Sequence, residues 1–471
     1  MSIGLARMEG LWCGQGMAHL LKLYHDPYAD PDRTAPDMMA LFDFGTSDDG
    51  LDQSREVLGV AAPVKTIIDA LQLQMKAGKT PTLDLVLFSH QDEDHWKLIG
   101  EMLNQVKINK IPLSITNIIY GGTGWKTKAK ATIGSLETYL SSTPKKAKAL
   151  SSGYTDYQYP ALAPSITLSL DDVHVRTLIA CDPSAKKSVL NGSSAVVLIQ
   201  LKNSGFILPG DATFQTLVAA STKLKLWPNS PLPFVYMLSA PHHGALSTMT
   251  SKNLGDASGL PELDEFIGLT RPYSAFASAG EESSYKHPYL IVMKSVSKYA
   301  SSYEFPEPHN VVVYQKNDNN TGWLVIEDIN RNTYTTVTDI KDPLPTADWL
   351  FEINSLGHFR TSARFYKGGQ RIFDGIPEAD PAIVADEDED KDMGDGTFDS
   401  TAQSRQTRPL LLTRPPLPDP IPGYAVRSSG VFASRTPVEP GRAEPAHRFG
   451  ATARPLPPNR RVRVAPSGDG R

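Results

Sequence analysis

At 471 residues, with a formal net charge of −5, the chain is long enough for one large core or for two to three ordinary domains. So small a charge over that length excludes a uniformly basic nucleic-acid surface, so any such binding has to be local. The two cysteines, Cys13 and Cys181, exclude both a disulfide framework and a cysteine-rich zinc module, and they fit a reducing cytoplasm.

In chain order, the first ten residues lack a basic start followed by a long apolar segment, so no secretory signal is expected. No run of about 18 apolar residues follows anywhere, which argues for a soluble protein without a membrane partner. Residues 38–45 read as a strand ending in a turn. Val64, Ile67, Ile68 and Leu71 recur at helical spacing and predict an amphipathic helix over 64–76, stopped by Gly78. Residues 83–88 form an apolar strand, and Trp96, Leu98, Ile99, Met102, Leu103 and Val106 predict another helix. Further strands are expected at 165–170, 174–179, 195–201, 205–208 and 234–238. Mixed strands and helices of this kind make a layered α/β fold.

Composition changes after about residue 376. Residues 386–392 are an acidic block, and beyond it come repeated Pro, Arg, Ser and Gly. Such a segment buries too little apolar area to offset the entropy of ordering, so it reads as a disordered tail. Its end, with Arg460, Arg461 and Arg463, is basic and fits a solvated tail better than a nucleic-acid contact. A protein partner for the tail stays open.

Chemistry concentrates directly behind the 83–88 strand, in Ser89-His90-Gln91-Asp92-Glu93-Asp94-His95. Side chains alternate along a strand, so its loop end can deliver His90, Asp92 and Asp94 to one side. A mixed imidazole and carboxylate set without Lys or Arg suits a divalent ion such as Zn or Mn. Three later segments share the design of a polar residue presented after an apolar strand. They are Asp211 after 206–210, the pair His242 and His243 after 234–241, and His287 in Tyr285-Lys286-His287-Pro288 after 276–280. Gly210 allows the sharp turn that would aim Asp211.

These four motifs, in this order, resemble the metallo-β-lactamase-fold hydrolases, and within them the branch of ComEC-like competence proteins and phosphorylcholine esterases. The resemblance extends to Gly14-Gln15-Gly16, Phe42-Asp43-Phe44-Gly45 and the stretch from Asn191 to Leu198, and so spans roughly residues 4–338. It implies a four-layered αββα sandwich over 1–345, a short extension over 346–375 and the tail over 376–471. It also implies two divalent metal ions, Zn or Mn, with Asp211 bridging them and an activated bridging water as nucleophile. One ion would take His90, Asp92 and one histidine of the 242/243 pair. The other would take Asp94, His95 and His287. His243 is the favoured ligand of the pair, which leaves His242 to contact substrate as a donor or general acid, with Lys286 neutralising phosphate charge. Both of the pair remain in the metal set, and Asp94 is counted with His242 and Lys286 among the catalytic residues. Ser194, Ser278 and Asn191 are candidates for orienting ligands.

Two departures from the family pattern bear on specificity. Trp96-Lys97-Leu98 replaces a glycine pair and should fill the cavity rim, and Met17 stands where an acidic residue is frequent. The activity implied is hydrolysis of a phosphodiester in nucleic acid or a nucleotide. Trp125, Lys126, Lys128 and Lys130 are the best candidate for a polyanion groove. A small-molecule phosphoesterase, of the phosphorylcholine type or acting on a signalling nucleotide, is the alternative in the same chemistry. A non-catalytic interaction protein is the alternative outside it. His19, His25, His174, His309, His358 and His447 lack ligand neighbours at useful spacing and read as core or surface residues.

Overall fold

The computed structural model describes residues 2–46, 51–156, 168–183, 190–226, 232–250, 260–279, 287–301, 310–316, 322–329, 331–337, 346–367 and 370–375. These residues belong to one compact unit, 1–415. The second unit, 416–471, and the whole tail expected to be disordered, 376–471, lie outside the described residues.

Two sheets dominate. The first has nine strands in the order Gln370–Gly375, Phe359–Lys367, Thr346–Asn354, Leu5–Gly10, Ala18–Tyr24, Met38–Phe44, Leu85–Phe88, Ile118–Tyr120 and Lys148–Ala149. The second has seven, in the order Thr333–Thr335, Ser274–Ala277, Phe234–Ser239, Ser204–Leu208, Val196–Leu201, Val173–Ile179 and Leu168–Leu170. Alternation along the strands splits their apolar residues into three cores. Met8, Leu21, Phe42 and Leu87 of the first sheet meet Val175, Phe206, Tyr236 and Phe276 of the second between the two sheets. The opposite side chains of the first sheet, among them Leu20, Leu41 and Val86, pack under Ile67 and Leu71 of helix Ala62–Lys76, and under Met102 and Leu103 of helix Ile99–Ile108. Leu198, Ile207 and Leu238 on the far side of the second sheet pack under helices Phe214–Lys225, Pro261–Thr270 and Leu290–Val296. Helices, sheet, sheet and helices therefore form the four layers of an αββα sandwich. Central strands buried on both faces explain why 85–88 and 196–199 are continuous apolar runs rather than alternating ones.

Most expected elements appear within one to three residues of their sequence positions. The segment 346–375 supplies three strands, and Thr346–Asn354 pairs antiparallel with Leu5–Gly10, setting Gly10 opposite Trp349. That pairing places Arg7, Glu9, Lys22, Asp348, Glu352 and Arg364 together on the outer face of the first sheet, all of them buried. Lys22 Nζ lies 2.7 Å from Glu9 Oε1, Arg7 Nη2 2.7 Å from Glu352 Oε1, and Arg364 Nη1 3.0 Å from Asp348 Oδ2. Among the described residues no helix is long and apolar enough to cross a membrane.

The candidate metal centre

Strand polarity decides where the polar residues meet. Met38–Phe44 runs parallel to Leu85–Phe88, and Ser204–Leu208 runs parallel to Phe234–Ser239, itself parallel to Ser274–Ala277. Loops leaving the C-terminal ends of parallel strands open on one edge, the usual place for a site in such sheets. The His90–His95 loop, Asp211 and the His242/His243 turn all leave such ends. Gly210 turns the chain with φ +54°, and a Cβ there would sit 2.5 Å from Ser89 Cβ, so only glycine lets the Asp211 turn approach the His90–His95 loop. Gly45 serves similarly, because a Cβ would lie 2.4 Å from the backbone of Asp94 and His95.

Asp211 is the hub. Its Oδ1 lies 3.1 Å from His95 Nε2 and 3.6 Å from His243 Nε2, and His243 Nε2 is 3.4 Å from Asp94 Oδ2. One ligand atom each from Asp94, His95, Asp211 and His243 falls within 4.8 Å of the others. The other oxygen, Oδ2, lies 3.2 Å from His242 Nε2 and 3.6 Å from His90 Nε2, and His90 Nε2 is 3.5 Å from Asp92 Oδ2. Two groups of donors thus share one carboxylate.

The opposite nitrogens of these rings are held. Ser89 Oγ is 3.1 Å from His90 Nδ1 and 3.3 Å from His95 Nδ1. Asp43 Oδ2 lies 3.0 Å from His95 Nδ1, while its Oδ1 accepts the Ser89 backbone N–H at 2.7 Å. His243 donates through Nδ1 to the Ser278 carbonyl at 3.2 Å, which fixes its tautomer and leaves Nε2 as a free lone pair. His242 and His243 both adopt left-handed backbone, φ +49° and +52°. Strain of this sort costs on the order of 1–3 kcal/mol per residue and is retained where geometry has a use. Here it sends two successive imidazoles to opposite sides of Asp211.

The inward atoms test whether the residues fit a cation. His90 Nε2, His95 Nε2, His243 Nε2 and Asp211 Oδ1 are buried and make no hydrogen bond. Leaving a buried polar atom unmade costs about 1–3 kcal/mol each, so four converging ones fit a missing cation far better than a closed polar core. The electrostatics agree. Burial raises the Asp211 carboxyl, but His242, His95, His243 and His90 together hold it well below the usual carboxylate range. Burial also raises Asp94, yet His95 and His243 bring it down to about 2. Burial lowers His95 and His243, and the facing carboxylates, Asp211 foremost, outweigh it and push both up. His242 moves the other way, with burial prevailing over Asp211. A bound cation would supply the positive charge that these carboxylates draw toward the rings.

Of the residues singled out in the sequence, His90, Asp92, Asp94, His95, Asp211, His242 and His243 come together. His287 stands beside the pair, its ring centroid 5.7 Å from His242 and 6.4 Å from His243. His243 Nε2 reaches Asp94 Oδ2 at 3.4 Å, and its ring lies 5.6 Å from that of His95. Lys286 lies outside the described residues, as do His309 and His447. Ser278 and Asn191 do contact the cluster's histidines. Ser194 is buried, with its hydroxyl making no hydrogen bond. Trp96, expected at the cavity rim, is 4% exposed. It is buried in the helix-side core, and its indole N–H donates to the Gln91 carbonyl at 2.8 Å, bracing the ligand loop from behind. Met17 is likewise buried, and its backbone N–H donates to the Asp94 carbonyl at 2.9 Å. His19 is a core residue as expected, but one lying under the cluster, where burial pushes it down to about 4 while Asp43 raises it and His95 and His243 lower it. Sequence reasoning missed the orienting roles of Asp43 and Ser89. The signal for Asp43 was present, an acid at the end of an apolar strand, the same design that marked Asp211.

No family model matches the chain, and no curated protein matches it. Solved structures do. The metallo-β-lactamase fold protein YhfI from Bacillus subtilis is 11% identical, covering 63% of this chain and 93% of its own, at a TM-score of 0.33. A CmlA β-hydroxylase mutant is 13% identical over 62% of this chain and 49% of its own, at 0.30. A diphosphatase of the PhnP family is 8% identical over 64% and 92%, at 0.27. The chain thus spans about half the length of the hydroxylase. Layer order and strand polarity, independently of these likenesses, define an αββα sandwich that carries a candidate metal centre at the C-terminal ends of its parallel strands.

Proposed function

We propose that the chain is a metal-dependent phosphodiester hydrolase with a dinuclear centre. The observation that carries this reading is the convergence of four buried, unbonded ligand atoms around a shared carboxylate. Asp94, His95, His243 and Asp211 Oδ1 would hold one ion, and His90, Asp92, His242 and Asp211 Oδ2 the other. This grouping gives both histidines of the pair to metal and releases His287 from the ligand set. Two such ions supply Lewis acidity at a phosphoryl oxygen and lower the pKa of a water. The protein's own part is orientation. Asp43 and Ser89 set the ring of His95, Ser278 sets His243, and His287, its ring centroid 5.7 Å from that of His242, would be the imidazole that gives a proton to a leaving oxygen.

The preference for phosphate rests on the resemblance and on a ligand set rich in carboxylates, which suits Mn as well as Zn. Lys128 Nζ lies 2.9 Å from Glu93 of the His90–His95 loop, and Lys126 and Lys130, near it in sequence, are exposed as well; this local basic stretch favours a polyanion over a small ester. The intact donor set speaks against a purely structural interaction protein. Assays of bis(p-nitrophenyl) phosphate, single- and double-stranded DNA, RNA and cyclic nucleotides with Mn and with Zn test the reading. Hydrolysis of at least one, reduced on the order of 10³-fold in Asp211→Asn, is expected. Activity on none of them, or an active Asp211→Asn, would refute it.

A further inference from the structure

The two donor groups around Asp211 are not equivalent, and Asn191 is the reason. Around Oδ1 the ligand atoms of Asp211, His95 and His243 have no hydrogen-bond partner. Around Oδ2 a partner is present. Asn191 Nδ2 lies 3.4 Å from Asp211 Oδ2 and 3.1 Å from His242 Nε2. The carboxylate dictates which way the amide points, since the reverse would set two oxygens against each other. With an N–H aimed at it, His242 Nε2 is an acceptor, so the ring proton sits on Nδ1 and is donated to Thr248 Oγ1 at 2.8 Å.

We infer that Asn191 makes the two metal positions unequal by competing for the Oδ2 position, while Thr248 holds the Nδ1 side of His242. The side-chain amide fills, with its own N–H groups, the two lone pairs that a second ion needs. The first position has no such competitor and fills first. The turn that carries Asn191 is fixed from several sides. The Ser194 N–H donates to the Asn191 carbonyl at 3.0 Å, the Thr216 hydroxyl to the Gly192 carbonyl at 2.8 Å, and the Thr123 N–H to Ser193 Oγ at 3.0 Å. Entry of the second ion therefore requires the amide itself to swing away, and the turn need not move. The physical consequence is a protein that is mononuclear at low metal and dinuclear only at higher metal, with the step set by one uncharged side chain.

This inference rests on the dinuclear reading above, and the test separates the two. Mn is titrated calorimetrically into the metal-free full-length protein, its variants Asn191→Ala and Asn191→Ser, with far-ultraviolet circular dichroism as the check on folding. The wild type is expected to bind in two steps, the second weaker. Removing the amide should tighten the second step about tenfold, the worth of a hydrogen bond to a charged acceptor, and leave the first within about twofold. Two steps of unchanged affinity in both variants would overturn the inference and leave the dinuclear centre standing. A second step weakened by Asn191→Ala would overturn it too, because the amide would then be a ligand. A wild type that binds no Mn or Zn would refute the dinuclear reading itself.

Discussion

Two clusters of buried charge occupy the first sheet and its edge, and they are built on opposite rules. On the outer face, Arg7, Lys22 and Arg364 are interleaved with Glu9, Asp348 and Glu352, and Asp32 closes the group at 2.7 Å from Arg7 Nη1. Tyr366 donates its hydroxyl to Asp348 at 2.7 Å. Every carboxylate there has a permanent cation as neighbour. At the loop edge Asp94 and Asp211 face imidazoles instead of permanent cations, and among the described residues the inward nitrogens of His90, His95 and His243 make no hydrogen bond. Equal burial thus carries different meanings. Acids paired with guanidinium and ammonium are a closed structural network, whereas acids paired with titratable rings and unbonded lone pairs mark a place prepared for an added cation.

The contrast breaks most sharply under substitution. Removing one partner of a buried ion pair strands the others, so Arg364→Met should lower unfolding stability by about 3–5 kcal/mol in denaturant titration while metal content stays at wild type. The same network should give way in acid. Burial raises Glu9, but Lys22, Arg364 and Arg7 bring it down to about 2 from an ordinary 4.5. A depressed carboxyl contributes stability above its unfolded value and loses it as pH falls through its folded one, so stability should decline between about pH 4.5 and 2, and less so in Arg364→Met. A variant with normal stability, or one that loses metal, would mean that the two clusters are not independent.

A smaller effect sharpens the other side. Asp43→Asn keeps the shape of the side chain but removes the charge that orients His95, and partners of this kind are worth about 10–100-fold in metal affinity. Chelator competition should show that loss with little change in denaturation midpoint. An unchanged affinity would remove Asp43 from the centre.

Much of the centre was legible because its residues are local. His90 to His95 follow an apolar strand without interruption, and Asp211 and the His242/His243 pair repeat the pattern. What could not be read was which histidine faces which carboxylate, since this depends on two successive left-handed residues after Pro241. That turn sets His243 Nε2 within 3.4 Å of Asp94 and His242 Nε2 within 3.2 Å of the other side of Asp211. The outer network was invisible for a different reason. Arg7 and Glu9 meet Arg364 and Asp348 only through strand pairing across more than 300 positions, and register is set by the pairing rather than by any local signal. Three of the nine strands of the first sheet come from 346–375, a stretch with no motif to announce it.

The central claim is that the cluster around Asp211 is a metal site. Anomalous diffraction at the Mn or Zn edge, from crystals of the full chain grown with that ion, tests it most directly. The account predicts a peak between Asp94, His95, His243 and Asp211 Oδ1, joined at higher metal by a second on the His90, Asp92 and His242 side. No peak at Asp211, or one located among other residues, would contradict it.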